Sequence, residues 1–395
     1  MKIKISVSNL MSGSTSLLGS NEDRLIRIPS VLRDELNVQV GSFLYLTSKN
    51  NFVTPLQIFN AYRKDAVGDS SRAYVSQNTY DELDIKKTNL KIRLQPFEDI
   101  LIGADPEFFI VDRDNQCRMP ASHFFSHTGD VGSDCGLAEL RPRPSTDEYT
   151  LTSNLYNLLC RANDRIDNRV LFKDKSIDMI AASMFNKAAA GFHIHFGLPS
   201  MMLSDIPYFK IIIERIVDVL DYYIGIPSIL PEGHEDCERR SGNNSAYGKP
   251  GDYRADNLTL EYRVPGGHLL RHPILTAGLF GISIVVIKDI LTRFKNYSNG
   301  YRSISKLETY NNLTKIYPNL PNKYEVYKSI TSDNIDKALS YAPSIIKDIS
   351  KMIGYKNRKK SIVDYFNYVI LNLENKKKFS CDIRENWRIV ENEGQ

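Results

Sequence analysis

Four short segments of this 395-residue chain set ionisable side chains in pairs two residues apart. They are Asp105 and Glu107 in GADPEFF, Glu139 and Arg141 in GSDCGLAELRPRP, His193 and His195 in GFHIHFG, and Glu261 and Arg263 in LEYRVPGG. The second segment also carries Asp134. The neighbouring residues are apolar and read as strands, and on a strand residues i and i+2 face the same side. Each pair therefore points together, into one cavity or toward one solvent face. Glu107, Glu139 and Glu261 each have apolar neighbours. Burying an unpaired carboxylate is costly, so such residues ask for a cation or a partner.

Carboxylates joined by one or two imidazoles make a site for a hard divalent cation. Oxygen-rich ligation suits Mg²⁺ or Mn²⁺, whereas structural zinc wants more Cys or His. The arginines on the same strands would repel a bare metal. They make sense if the metal carries an anion, such as a nucleotide polyphosphate. No GxxxxGK[ST] segment is present, which excludes a P-loop enzyme. Each segment alone has a plainer reading. An HxH pair on a strand is more often half exposed, an ExR pair is more often a surface ion pair, and Asp105-Pro106 could simply open a strand. Four such segments on four predicted strands favour one polar catalytic cavity.

The elements that must position these residues follow from periodicity. Leu101–Asp112, Ala189–Leu198 and Leu258–Val264 read as strands, and Thr146–Val170 as a helix with a stripe of Tyr149, Leu151, Leu155, Leu158 and Leu159. Asp205–Ile224 and Leu269–Tyr297 read as long helices, with shorter ones at Ser332–Leu339, Ser344–Ile353 and Ser361–Leu373. The most apolar stretch, Ile274–Ile287, is shorter than the ~18–20 residues that span a bilayer and reads as a core helix. The run Lys376–Lys378 reads as a solvated helix end.

Composition sets the outer limits. With 42% hydrophobic and 25% charged residues the chain is globular, and a net charge of +4 is too mild to imply nucleic acid. Cys117, Cys135, Cys160, Cys237 and Cys381 form an odd set without CxxC spacing, which points to a reducing compartment. The first residues alternate as a strand rather than forming a secretory signal. The expected setting is the cytoplasm, with no membrane partner.

The N-terminal part contains a repeat. Asp34–Val38 (DELNV) and Asp81–Ile85 (DELDI) stand 47 residues apart, and the register extends without a gap from Ile26–Ile28 to Ala73–Val75 and from Phe43–Tyr45 to Leu90–Ile92. Each copy reads strand, helical turn, strand. Units this small cannot bury an apolar face alone, so the two copies should pair into one barrel. The phrase RLIRIPSVLRDELNVQVGSFLYL resembles swapped-hairpin and double-psi β-barrels, such as those of bacterial transition-state regulators and of the N-terminal domains of some AAA ATPases. Some such barrels bind DNA. The mixed charges here favour a structural role or the docking of a protein partner. The expected division is a barrel over residues 1–96 and a catalytic domain over 97–395.

The ordered set G-x-D-P-E, D-x4-E-L-R-P, G-F-H-I-H-F-G and E-Y-R, with RRSGNNSAYGKPGDYR before the last, resembles the COOH-NH2 ligase (amidoligase) group of the type found in phage genomes. That group is related to glutamine synthetase and glutamate–cysteine ligase. The resemblance runs from about Leu101 to about His272, with a weaker continuation to the C-terminus. It implies an α+β fold: a glutamine synthetase-like antiparallel sheet with helices packed on one face, following the small N-terminal β-barrel. It assigns Asp105, Glu107, Glu139, His193 and Glu261 to metal, and Lys249, Arg254, Arg263 and Arg141 to ATP or the acyl phosphate. Arg254 and Arg263 would act in catalysis together with His195, which would touch substrate. Arg239 and Arg240 are weaker candidates, and Asp134 matches an acidic position of uncertain role. Where the family often reads EYRxxS, Val264–Gly267 stands here, which puts acceptor choice in question.

The implied activity is an ATP-dependent carboxylate–amine ligase that uses Mg²⁺ or Mn²⁺ and joins a small-molecule or peptide carboxylate to an amine. A phage structural or binding protein that keeps the ligase fold without the activity is the alternative, with association to the virion. A metal hydrolase would leave the arginines idle.

Overall fold

The computed structural model describes residues 4–7, 25–36, 43–47, 53–61, 72–82, 91–94, 100–198, 207–233, 235–241, 248–255, 259–298, 315–333, 335–374 and 382–389. Leu83–Ile85 of the second repeat, residues 242–247 within RRSGNNSAYGKPGDYR, Lys376–Lys378 and Cys381 lie outside these residues. The chain divides into two compact units, one over Met1–Asp99 with Leu198–Ser204, the other over Ile100–Gly197 and Asp205–Gln395.

Among its described residues the first unit holds six strands: β1 (Lys4–Val7), β2 (Leu25–Ile28), β3 (Phe43–Thr47), β4 (Val53–Asn60), β5 (Arg72–Val75) and β6 (Lys91–Leu94). They form one sheet in the order β1-β5-β2-β4-β3-β6. Short helices follow β2 (Ser30–Leu36) and β5 (Gln77–Glu82), so both repeat copies run strand, helix, strand. Ile26, Ile28, Leu32, Leu36, Leu56, Ile58, Ala73 and Val75 form the core, drawn from both copies. β1 runs parallel to β5, and β4 runs parallel to β2. The strand that precedes each copy thus pairs with the first strand of the other copy.

The second unit is built on β7 (Ile102–Asp112), the longest strand at 11 residues. It is followed by β8 (Cys117–Met119), β9 (Val131–Asp134), β10 (Leu137–Leu140), β11 (Ile177–Ile180), β12 (Met184–Phe185), β13 (Ala188–Ala189), β14 (Phe192–Phe196), β15 (Tyr253–Ala255) and β16 (Leu260–Tyr262). The main sheet has the order β15-β16-β14-β7-β10-β9, with β8 and β11 on the far half of β7. All its pairings are antiparallel. Phe108, Phe109, Ile110 and Val111 are all buried, which is the signature of a strand covered on both faces.

Helices cover one face. Phe192, opposite in direction to His193, packs its ring 5.6 Å from Phe280 of the long helix Pro273–Ser298. Tyr262, between Glu261 and Arg263, donates its hydroxyl to buried Asp221 at 2.8 Å. The helix Pro273–Ser298 contains a 21-residue window, Pro273–Arg293, long and apolar enough to cross a membrane; this apolar segment is longer than the Ile274–Ile287 run suggested. That window is 89% buried inside the unit, so its apolar surface is already used by the core. The helix Glu148–Asp167 starts where Asp147 accepts from the Thr150 amide and buries Leu151, Leu155, Leu158 and Leu159. Tyr149 does not join this stripe; it is exposed. One helix, Asp336–Ile349, runs through Pro343, where two shorter helices were expected. Burial of Ala338, Ala342, Ile345 and Ile349 outweighs the proline's local cost. Asp205–Ile224 is shorter as an α-helix than expected: Pro207–Leu220 gives way to a π-helical turn at Asp221–Gly225.

Candidate active site

Cross-strand register decides whether the charged pairs meet. His193 lies opposite Asp105, and His195 lies opposite Glu261 on its other side. Glu107 lies opposite Glu139, and Arg254 opposite Glu261. Directly opposed residues share a face, and so do residues i and i+2. Arg254, Glu261, His193, His195, Asp105, Glu107 and Glu139 therefore stand on the face of the sheet away from the helices. Arg141 and Arg263 continue the line just past the ends of β10 and β16. Asp134, opposite Leu137, joins this face at the exposed β9 edge.

From Asp105 and the two histidines through Glu261 to Arg254 and Arg263 the side chains make a continuous line of contacts. His193 Nδ1 is 3.2 Å from Asp105 Oδ1 and 3.5 Å from Glu261 Oε1. His195 Nε2 is 3.1 Å from Asp105 Oδ2. On the other side of Glu261, Arg263 Nε lies 3.2 Å from Oε1 and Arg254 Nη1 lies 3.5 Å from Oε2. Glu107 Oε2 accepts from the Gly191 amide at 2.6 Å, and Arg141 pairs with Glu139. Arg141 also donates to the Gly129 carbonyl at 2.9 Å. Lys249 is exposed on the turn before β15, and its side chain stands outside this line.

The electrostatics are those of crowded acid groups. Burial and the charges of Asp105 and Glu107 push the Glu139 carboxyl up to about 7, with Arg141 opposing the shift. Burial also works against ionised Asp105. Hydrogen bonds and charge from His193 and His195 overcome it and hold that carboxyl well below the usual range. Asp105, His193 and Glu261 offer three ligand atoms within 4.8 Å of one another. Two carboxylates and an imidazole in that geometry suit a divalent cation, and a cation would also relieve the repulsion that raises Glu139.

Gly191 is part of the same construction. A Cβ built there would overlap His193 Nε2. Gly191→Ala should tilt the imidazole away from Asp105 and Glu261 and weaken divalent-ion binding by ~10-fold or more, the scale on which support of a ligand matters. Calorimetric titration with Mn²⁺ checks this, and wild-type affinity in the variant would show that the ring does not depend on that space.

Arg239 and Arg240 do not face the site. Both are buried. Arg240 pairs with Glu232 at 2.6 Å and donates to the Ile330 and Ser332 carbonyls. Arg239 donates to the carbonyls of Val264 and Arg263. Both guanidiniums therefore spend donors on backbone carbonyls inside the unit, a structural use rather than a contact with the carboxylate line. The Val264–Gly267 segment extends the sheet pairing: the Phe192 amide donates to the Pro265 carbonyl, and the Gly267 amide donates to the Ala190 carbonyl.

Sequence reasoning missed Asp252. Its Oδ1 lies 3.8 Å from Arg263 Nη1, and its carbonyl accepts from the Arg263 amide at 3.1 Å. The same i, i+2 spacing, Asp252 to Arg254 in GDYR, could have flagged it. Also missed was a buried network behind the site. Ser183 Oγ lies 2.6 Å from His268 Nδ1, and His268 Nε2 lies 2.9 Å from the Ser228 carbonyl. Burial lowers the His268 imidazole to about 4, which keeps it neutral and structural.

A sheet face that gathers carboxylates and imidazoles, flanked by arginines, is the equipment of an enzyme that handles a cation and an anion together. The chain belongs to the phage phiEco32-like COOH.NH2 ligase-type 2 family, whose model matches residues 102–389. That family is one of carbon–nitrogen ligases, acting on carboxylate and amine groups. No curated protein matches the sequence. Among solved structures, the chain is similar to a bifunctional glutathione synthetase from Pasteurella multocida (12% identity, 72% of this chain, 53% of that chain, TM-score 0.34). It is similar to the ligase PafA in complex with the prokaryotic ubiquitin-like protein Pup (14% identity, 74% of this chain, 67% of that chain, TM-score 0.43). It is also similar to Plasmodium falciparum glutamine synthetase (11% identity, 85% of this chain, 82% of that chain, TM-score 0.34). The chain spans about half the length of the glutathione synthetase.

Proposed function

We propose that this chain is an ATP-dependent carboxylate–amine ligase working through an acyl phosphate. The observation that carries the reading is the unbroken line of contacts from Asp105 through His193 and Glu261 to Arg254 and Arg263. One sheet face thereby joins cation-holding groups to anion-holding groups. Asp105, Glu107, Glu139, His193 and Glu261 would hold Mg²⁺ or Mn²⁺. When bound, the metal supplies charge neutralisation for the polyphosphate. Arg254, Arg263 and Arg141, with Lys249 on its turn, would hold phosphate oxygens, and His195 would touch substrate.

A carboxylate is a poor electrophile, and activation by ATP meets that need. A carboxylate oxygen attacks the γ-phosphorus and ADP leaves. The amine nitrogen then attacks the carbonyl carbon of the acyl phosphate, phosphate leaves with the bonding pair, and the nitrogen loses a proton. Arg254 and Arg263 would stabilise the charge that develops during transfer. A reaction that consumes ATP belongs in a cytoplasm, that of the host if the chain is of phage origin. Incubating the protein with ATP, Mg²⁺ and mixed carboxylates and amines should release phosphate together with a product lighter by one water than its two substrates. Phosphate release without an amide product, or no release at all, would refute it.

For residues 1–96 we propose a closed barrel that docks a partner, separate from the catalytic domain over 97–395. Exchanging the two repeat copies maps the β1–β5 pairing onto β4–β2, and the mate of β3–β4 is β1–β6, the two ends of the sheet. Closure there would complete a six-stranded barrel. Removing residues 1–96 should leave Mn²⁺ and nucleotide affinity within ~3-fold of wild type, since each unit is compact by itself. Loss of both in a chain that still melts cooperatively would show the division is wrong.

A further inference from the structure

We propose that Arg239 is the positioning residue for Arg263, acting at once on the backbone that presents Arg263 and on the turn that braces it. The assignment rests on reading Arg263 as a phosphate contact. Arg239 is 2% exposed. Its Nη1 donates to the Val264 carbonyl at 2.7 Å and its Nη2 to the Arg263 carbonyl at 2.8 Å. A planar guanidinium can serve two consecutive carbonyls with parallel donors; an ammonium cannot hold that fork.

The other side of the guanidinium is covered by Gly248. This residue has φ +91°, and a Cβ built on it would overlap the Arg239 guanidinium. Any side chain there is both strained and excluded. The turn that Gly248 begins then returns to Arg263. The Gly248 amide donates to Asp252 Oδ2 at 2.7 Å, the Arg263 amide donates to the Asp252 carbonyl at 3.1 Å, and Asp252 Oδ1 lies 3.8 Å from Arg263 Nη1. Arg239, Val264, Arg263, Asp252 and Gly248 thus form a closed circuit with only Arg263 reaching the carboxylate cluster. The neighbouring Arg240 is equally buried but spends its donors on Glu232 and on carbonyls at the end of the helix Lys323–Thr331. It provides an internal control for simple loss of a buried arginine.

The test uses full-length wild type, Arg239→Lys, Arg240→Lys, Gly248→Ala, Arg263→Lys and the Arg239→Lys/Arg263→Lys double variant. Hydrogen exchange reads local opening without any ligand. Arg239→Lys should speed exchange at residues 248–255 and 259–266 by ~10-fold or more, with Gly248→Ala doing the same and Arg240→Lys leaving those amides as in wild type. Mg·ATP affinity and turnover supply the second readout. Arg239→Lys should lower turnover by ~10-fold or more in the wild-type background but by under ~3-fold when Arg263 is already Lys, because it acts through that residue. Additive losses, or wild-type exchange in Arg239→Lys and Gly248→Ala with ATP binding intact, would overturn the positioning role alone. Wild-type protein that binds no Mg·ATP would remove the phosphate reading and this assignment with it.

Discussion

Arg263→Lys is expected to lower ligase turnover by ~10²-fold or more, the scale for losing one transition-state donor, while the melting temperature changes little. Arg263 shares a sheet face with Glu261, and its Nε lies 3.2 Å from Glu261 Oε1. If the two only neutralised each other, Lys would keep the positive charge beside Glu261 and serve nearly as well. Its side chain is 18% exposed and lies at the end of the strand that faces the carboxylate cluster. A residue there that reads a phosphate uses the planar two-donor fork, which Lys cannot reproduce. Turnover and thermal melts on the same preparation decide the matter. Wild-type turnover in Arg263→Lys would defeat the phosphate role.

Much of this site was legible because strand periodicity is two. The pairs Asp105/Glu107, Glu139/Arg141, His193/His195 and Glu261/Arg263 could each be placed on a common face without knowing the fold. Which pairs would oppose one another could not, because register is a long-range property. That His193 faces Asp105 and Glu107 faces Glu139 depends on β14 and β10 flanking β7, strands far apart in sequence. The family resemblance bridged that gap by order of motifs rather than by physics.

The misreadings have physical causes too. An arginine in RRSGNN looks the same in sequence whether it meets phosphate or backbone carbonyls; Arg239 and Arg240, the weaker phosphate candidates, donate to backbone carbonyls. Pro343 is a local helix breaker that tertiary burial overrode. The π-turn at Asp221–Gly225 leaves no mark on apolar periodicity, since all five of its residues are buried. It places Asp221 under Tyr262, directly behind the strand that carries Glu261.

Glu139→Gln should separate metal binding from stability by moving them in opposite directions. The Glu139 carboxyl is pushed from 4.5 up to about 7 by burial first and then by Asp105. A carboxyl raised in the folded state favours folding only while protonated. Below about pH 4.5 it is protonated in both states and costs nothing. As pH rises toward 7 the unfolded chain ionises first, and folding loses up to ~3 kcal/mol. Gln carries no charge, so the metal-free variant should melt higher than wild type at pH 8 and match it near pH 4. Mn²⁺ affinity should nonetheless fall by on the order of 10²-fold, since losing a ligand costs more than losing its support. The divalent-ion increment in melting temperature, which tracks occupancy, should shrink accordingly. The measurement is a set of melts across pH with and without Mn²⁺. An unchanged metal increment would take Glu139 out of the cation site, and a metal-free variant less stable at pH 8 would mean that its pairing with Arg141 outweighs the crowding by Asp105 and Glu107.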